Sequence, residues 1–446
     1  MRPGGRAELL TRTGKLIYAM GRLGSSALLS LIDLATFWLY LDFFGLGGML
    51  VGISFAIGKL VIAFFGWYFG YLSDITRSKA WGRRRPYILA GCLLLAFSTA
   101  MLFLPDYFIN IKDQLGLFLY ATVFLSLANL SYGLLSTPYM AWLAEIADPE
   151  ERVEVSAYQN VFGMLAQVVG TLIGFALPAL RAGGASQVLW ILLGLGGLEI
   201  FLYAPALLSI KEKERPLPRP NVRREIAVVL GNKNYRNWLL LQGMMSMPTA
   251  ILASLIMSYL QKVLMVVGTE FMLIGALMLL LEAIFFPIWT RISRRIGKKL
   301  PLTTSLVVLT LSLPLTMILG QPVLGFIPDL FQAFLFISLI AIGISGWYLL
   351  PNPVTADIAH QDEILGGEAR AGSYGGLISI PLNVLQALAR FIAGSIAELP
   401  IVVGQNYSYG LLIWGPVSSL LLIPNLIVLI KYVETDPLRK KPSQSN

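Results

Sequence analysis

Apolar runs about 20 residues long, the length a helix needs to cross the hydrocarbon core of a bilayer, recur along nearly the whole of this chain. Twelve are expected, at 16–44, 47–73, 86–105, 115–146, 153–180, 187–210, 235–263, 269–291, 301–320, 328–350, 372–398 and 407–432. Only 13% of the 446 residues are charged and 56% are hydrophobic, whereas a soluble protein carries about 25% charge. The expected class is therefore an all-α integral membrane protein. A single cysteine, Cys92, excludes an intramolecular disulfide. A single histidine, His360, excludes a histidine-built metal cluster, and no Cys/His spacing suggests zinc, so neither a metal nor a cofactor is expected. Residues 1–15 are basic but lack a small-residue cleavage site, so no removed signal peptide is expected.

Charge orients the spans. With the N-terminus inside, 28 of the 34 Lys and Arg fall in inner segments, three in outer loops (Lys112, Arg181, Lys262) and three within spans (Arg22, Lys59, Arg390). This is the positive-inside pattern. It places both termini in the cytoplasm of a multi-pass cell-membrane protein and assigns the net charge of +9 to topology and lipid contact. No nucleic-acid partner is expected.

Residues 1–210 and 235–433 each hold six spans. Between them lies a basic, Pro-rich linker (211–234), whose prolines at 216, 218 and 220 favour an extended chain; 434–446 form a cytoplasmic tail. The halves echo one another. "LAEIADPEER" (143–152) follows span 4 and "TADIAHQDEI" (355–364) follows span 10. The knot "SDITRSKAWGRRRP" (73–86) follows span 2, and "TRISRRIGKKLP" (290–301) follows span 8. Equivalent motifs six spans apart imply two pseudo-symmetric six-helix bundles, as in alternating-access transporters with a midplane site between halves.

"GYLSDITRSKAWGRRRPYIL", "PYMAWLAEIADPEERVEVSAYQNVFG" and "ADIAHQDEILGGEARAGSYGG" resemble the helix 2–3, 4–5 and 10–11 loops of the major facilitator superfamily. More narrowly they resemble its glycoside–pentoside–hexuronide:cation symporters, the melibiose and sucrose carriers among them. The resemblance implies the major facilitator fold and a sugar carried with a cation. It also implies a cytoplasmic gate at Asp74, Arg77, Arg83, Arg84, Arg85, Glu145, Arg152, Asp357 and Arg370. Five positions where that family keeps site charges are uncharged here: Ser26, Ile62, Gly66, Ser136 and Asn383. Ile62 and Gly66 offer no side-chain oxygen to a hard cation, so the family's sodium site is not expected.

An ionisable side chain within a span costs several kcal/mol and marks a functional candidate. Asp33 and Lys59 come out at the same depth, about 17 Å from the outer ends of spans 1 and 2. Glu282 and Arg390 come out at about 20 and 14 Å. One coupling ion pair is expected in each half, Asp33–Lys59 and Glu282–Arg390, either as a structural latch or as a pair that opens when solute or proton binds. Glu199 has no expected partner. Ser26, Ser30 and Asp33 share a face of span 1; Asn129, Tyr132 and Ser136 a face of span 4; Asn383, Gln386 and Arg390 a face of span 11. Such polar stripes suit a hydroxyl-rich solute, and they also join membrane helices. The expected solute-binding residues are Ser26, Asp33, Asn129, Tyr132, Ser136, Asn383 and Gln386. Trp142, Trp347 and Tyr348 are candidate stacking aromatics or interfacial anchors, and His360 is expected to be a solvated loop residue.

The function expected is secondary active transport of a sugar, glycoside or similar small polar solute by a monomer, coupled to protons rather than sodium. The expected partners are that solute, the proton and the lipid bilayer. Alternatives are an uncoupled facilitator of another solute and a non-transporting sensor or assembly factor on a carrier fold. The spans hold neither a paired-carboxylate metal motif nor a nucleophile–base set, so no enzyme is expected.

Overall fold

Twelve helices long and apolar enough to cross a membrane occur among the described residues of the computed structural model. Those residues are 11–76, 81–147, 149–210, 222–366, 374 and 377–438. The chain divides into two units, Met1–Leu217 and Pro218–Asn446.

The first unit contains α1 (Arg12–Trp38), α2 (Gly48–Ile75), α3 (Arg85–Phe103), α4 (Gln114–Ile146), α5 (Pro149–Ala182) and α6 (Ala185–Ser209). α1 is capped by Thr11, whose hydroxyl accepts from the Gly14 N–H at 3.1 Å. At its other end α1 widens into a π-turn, Leu39–Phe43. α1 packs on α5 and α6, and α4 packs on α2 and α3. Glycine permits the closest of these approaches: a Cβ on Gly170 of α5 would overlap the Ala27 carbonyl oxygen of α1.

The second unit contains α7 (Val222–Gly231), α8 (Lys233–Lys262), α9 (Gly268–Ile296), α10 (Lys299–Ser312), α11 (Asp329–Leu349), α12 (Pro351–Gly366), α13 (Ser379–Ala397) and α14 (Gly410–Tyr432). Here α8 packs on α13 and α14, while α11 packs on α9 and α10. α10 gives way to a 3-10 turn, Leu313–Met317, which packs on α14. Gly415 of α14 permits that contact, since a Cβ would overlap the Leu313 carbonyl oxygen.

The internal repeat reappears in the packing of each unit. Tyr18 of the first spanning helix meets Trp142 of the fourth edge-on, with ring centres 5.6 Å apart. In the second unit, Trp238 and Trp347 of the corresponding helices lie 6.2 Å apart. Trp142 and Trp347 are buried in these clusters, and Tyr348 is exposed.

Two expectations about connections are corrected. The linker is not extended throughout: α7 occupies 222–231, beyond the last of its prolines. Asn232 then caps α8 by accepting from the Tyr235 N–H at 3.1 Å. The motif at 355–364 is not a loop either. Pro351, whose missing N–H costs nothing at the first position of a helix, opens α12, and the motif lies on it. His360 is exposed as expected, but on this helix, with Nδ1 3.4 Å from Glu363 Oε2.

Candidate functional site

In the first unit the polar stripe of α1 lies on the helix's accessible side. Arg22, Ser26, Ser30 and Asp33 are half-buried, as are Leu23, Leu29 and Leu34, while Tyr18, Ala19, Ala27, Leu28, Leu31, Ile32 and Ala35 are buried. The spacing of +4, +8 and +11 keeps the four on one face. Asp33 reaches across to α2, where Lys59 Nζ lies 3.0 Å from its Oδ1. The Lys59 side chain is 9% exposed and that of Asp33 38% exposed, so the pair has one dry end and one accessible end. Asn129 of α4 is buried and packs against Gly58 of α2; its Nδ2 donates to the Leu125 carbonyl of its own helix at 2.9 Å. Asp33 and Lys59 are thus brought together, and Asn129 meets α2 at the residue before Lys59. Tyr132 and Ser136, half-buried, continue the same face of α4.

Ile62 and Gly66, the two positions aligned with the family's sodium carboxylates, face α4 at Gly133. A Cβ there would sit 3.5 Å from Gly66 Cα and 3.6 Å from Ile62 Cγ1. The position is an apolar helix–helix contact.

In the second unit the expected Glu282–Arg390 pair does not form. α9, which carries Glu282, packs on α11 and α10, whereas α13, which carries Arg390, packs on α8 and α14. Matched depth did not make the helices neighbours. Arg390 Nη1 donates instead to Ser254 Oγ of α8 at 2.8 Å. Glu282 is buried, and its Oε1 has no hydrogen-bond partner among the described residues. Asn383 of α13 is buried, with Nδ2 donating to the Ser379 carbonyl at 2.8 Å; Gln386 is half-buried. Glu199 on α6 is fully buried against Gly24 of α1, and neither of its oxygens has a hydrogen-bond partner among the described residues.

Of the expected cytoplasmic gate, Arg77 and Arg370 lie outside the described residues, as do the side chains of Asp74, Glu145 and Arg152. Arg84 is buried, with Nη1 donating to Ser73 Oγ at 2.8 Å. Arg85 donates to the Ile210 carbonyl at the end of α6 and lies 5.9 Å over the Trp142 ring. Arg83 is half-buried beside them. In the second unit Asp357 of α12 pairs with Lys298, which lies in the repeat of the basic knot, and the Lys298 backbone N–H donates to Asp436 Oδ2 at 2.8 Å. The second knot is therefore bonded to the second acidic motif. Asp357→Asn is expected to loosen this junction and speed trypsin cleavage near residues 291–299 of the reconstituted protein by severalfold. An unchanged digestion rate would show that the junction contributes nothing.

Two charged positions were not legible in the sequence as more than a charge. Arg181, counted in the sequence only as an outer-loop charge, is buried, with Nη1 3.0 Å from Asp106 Oδ2, a bond to the Phe103 carbonyl, and the Phe43 and Phe44 rings 5.3 and 5.2 Å from its guanidinium carbon. Nothing in local periodicity joins residues 75 positions apart. Arg22 is the other. Its signal was present, because it lies one turn before Ser26 on the stripe already drawn through Asp33.

The profile of the MFS/sugar transport protein family matches residues 17–399. An uncharacterized symporter of Synechocystis sp. is 30% identical over 231 residues, which are 50% of this chain and 42% of that protein. The isoprimeverose transporter of Lactiplantibacillus pentosus is 26% identical over 172 residues, 38% of this chain and 35% of its own length. The matches thus span less than half the length of these curated relatives. The crystal structure of a D-xylose-proton symporter superposes with a TM-score of 0.69 over 96% of this chain and 99% of that one; at 13% identity this shows the fold. The twelve spans make the protein multi-pass, and the profile match over most of its length shows that the chain belongs to the MFS/sugar transport protein family.

Proposed function

We propose that this protein is a secondary active transporter of the cell membrane, both termini cytoplasmic, carrying a sugar, glycoside or related small polar solute by alternating access. The observation that carries the reading is the Asp33–Lys59 pair, 3.0 Å long, on the half-buried polar face of α1. Charge kept inside a span at a cost of several kcal/mol needs a use, and the accessible carboxylate supplies one. Ser26, Asp33, Asn129, Tyr132, Ser136, Asn383 and Gln386 offer hydroxyls, amides and one carboxylate for hydroxyl-rich cargo. Its isoprimeverose-transporting relative supports a sugar. With apolar packing at Ile62 and Gly66 and a single, exposed histidine, the coupling ion is a proton carried on a carboxylate, Asp33 or Glu282.

Uptake by proteoliposomes across a panel of sugars and glycosides, with and without an inward proton gradient, tests this. Accumulation driven by the gradient is expected. Absence of flux for every solute, with folded protein, would sink the reading. Asp33→Asn and Glu282→Gln are expected to flatten the pH dependence of uptake; if neither does, coupling through these carboxylates is wrong.

A further inference from the structure

Glu199 of α6 takes no part in the function proposed above. It lies about 15 Å along α6 from the inner end of that helix at Ser209, near the middle of its span. It is 0% exposed, and neither carboxyl oxygen has a hydrogen-bond partner among the described residues. α1 seals it: a Cβ on Gly24 would lie 2.4 Å from Glu199 Cα and 2.8 Å from its Cβ. Gly21, one turn earlier, admits the ring of Tyr203 in the same way, at 2.5 Å. A seam this tight has no place for the roughly six oxygens that a hard metal ion gathers.

The neighbouring helices supply no counter-charge. α1 meets Glu199 with Gly24 and Ser25, which do not ionise; its Arg22 faces α5 at Gly163, and its Asp33 is paired with Lys59. α3 brings Cys92, buried one turn from the Ala96–Gly196 contact between α3 and α6, and its Arg85 stands at the inner end over Trp142. α5 carries charge only at its ends, in residues 150–154 and at Arg181. Tyr203 is the other titratable residue of α6. An ionised carboxylate so placed costs several kcal/mol, and the neutral acid avoids that cost.

α1 also has two working faces. Ser26, Ser30 and Asp33 form the accessible one, whereas Gly24 lies about 200° around the helix from Ser26, on the seam with α6. A helix that tilts as solute is taken up on one face lifts the other from its neighbour. Hydroxyls stand ready beside the acid. Tyr203 leans back along α6 toward Glu199, and its hydroxyl lies 3.1 Å from Ser25 Oγ.

We propose that Glu199 is a proton-binding site of the transport cycle, additional to the carboxylate named above: it holds a proton while α1 is seated on α6 and releases it when α1 tilts. This rests on the transporter reading. On tilting, the O–H bond of the acid breaks, the proton passes by the Ser25–Tyr203 pair to water entering the seam, and a hydrated carboxylate is left. Reseating α1 reverses the step. Solute on one face and proton on the other are thus coupled through a single helix.

The first test is an infrared difference spectrum of the full chain, wild type minus Glu199→Gln, at neutral pH. The carbonyl band of an un-ionised carboxyl group is expected in the wild type and not in the variant. The second is uptake by proteoliposomes under an inward gradient of about one pH unit, beginning with radiolabelled xylose, glucose, melibiose and isoprimeverose and using whichever sugar or glycoside the wild type accumulates most. One coupled proton is then worth about tenfold in accumulation. Glu199→Gln is expected to lose about that factor, and to lose less in the rate of solute counterflow. Glutamine matches the neutral acid in size, so the variant should fold; if its size-exclusion profile shows otherwise, Glu199→Met decides on both readouts. Absence of the band overturns the inference. So does a band accompanied by accumulation that is unchanged, or that falls only as far as counterflow. Wild-type uptake that ignores the gradient also overturns it and leaves an uncoupled facilitator. No flux of any sugar or glycoside overturns the transporter reading as well.

Discussion

Lys59→Met is expected to abolish gradient-driven uptake, to below about 1% of wild type, and to lower Tm. Removing the ammonium leaves the Asp33 carboxylate in a span with its nearest counter-charge gone. Breaking a fully buried pair costs about 3–5 kcal/mol; with Asp33 more than a third exposed, water offsets part of this, and about 2 kcal/mol is the expected loss. The double variant Asp33→Asn, Lys59→Met separates the two roles open to the pair. Deleting both charges removes the unpaired ion, so Tm should return to near wild type. If uptake and its pH dependence return with it, the pair is only a latch between α1 and α2. If stability returns and gradient-driven uptake does not, the pair takes part in coupling. The second outcome is expected, because the accessible end of the pair is the carboxylate.

Gly170→Val is expected to prevent folding of the first unit. The position of its Cβ is already occupied by the Ala27 carbonyl oxygen and lies 2.7 Å from Ser30 Cβ. α1 and α5 would have to part along their length, and α1 also carries the packing against α6. Overpacking in a tight core costs about 1–3 kcal/mol, and a clash with backbone, which has no rotamer to turn, lies at or beyond the upper end. The measurement is the yield of monodisperse protein in mild detergent. Yield equal to wild type would mean that the two helices do not approach as closely as described. Gly197→Ala, where a Cβ meets nothing within 4 Å, is the matched control and should be silent.

What could be read from the sequence follows a physical boundary. Spans are legible because a bilayer demands long apolar helices whatever surrounds them. Asp33–Lys59 was legible because α1 and α2 are consecutive and joined by a short turn, so counting residues fixes depth and adjacency together. Glu282–Arg390 failed on adjacency alone: α9 and α13 are not consecutive, and counting along each says nothing about which helix lies beside which. Arg22 escaped notice for another reason. Its charge was entered in a topology count, where position on a helix face is ignored, although it sat on a stripe already identified. Helix α12 was read as a loop because its polar composition outweighed the prolines that start it.

That helix has a consequence of phase. α11 and α12 together run from Asp329 to Leu365 as one 37-residue stretch, about 55 Å at helical rise, against roughly 30 Å of hydrocarbon. A large part of it must therefore stand clear of the lipid as a stalk, and the angular position of Asp357 about the stalk is set by the number of residues beneath it. One inserted residue turns everything beyond by about 100°, enough to carry Asp357 off Lys298 without touching either side chain. Seven inserted residues, close to two whole turns, restore the bearing at a greater height. Segment length here is thus under rotational constraint, and indels in this stalk should be tolerated by phase rather than by size.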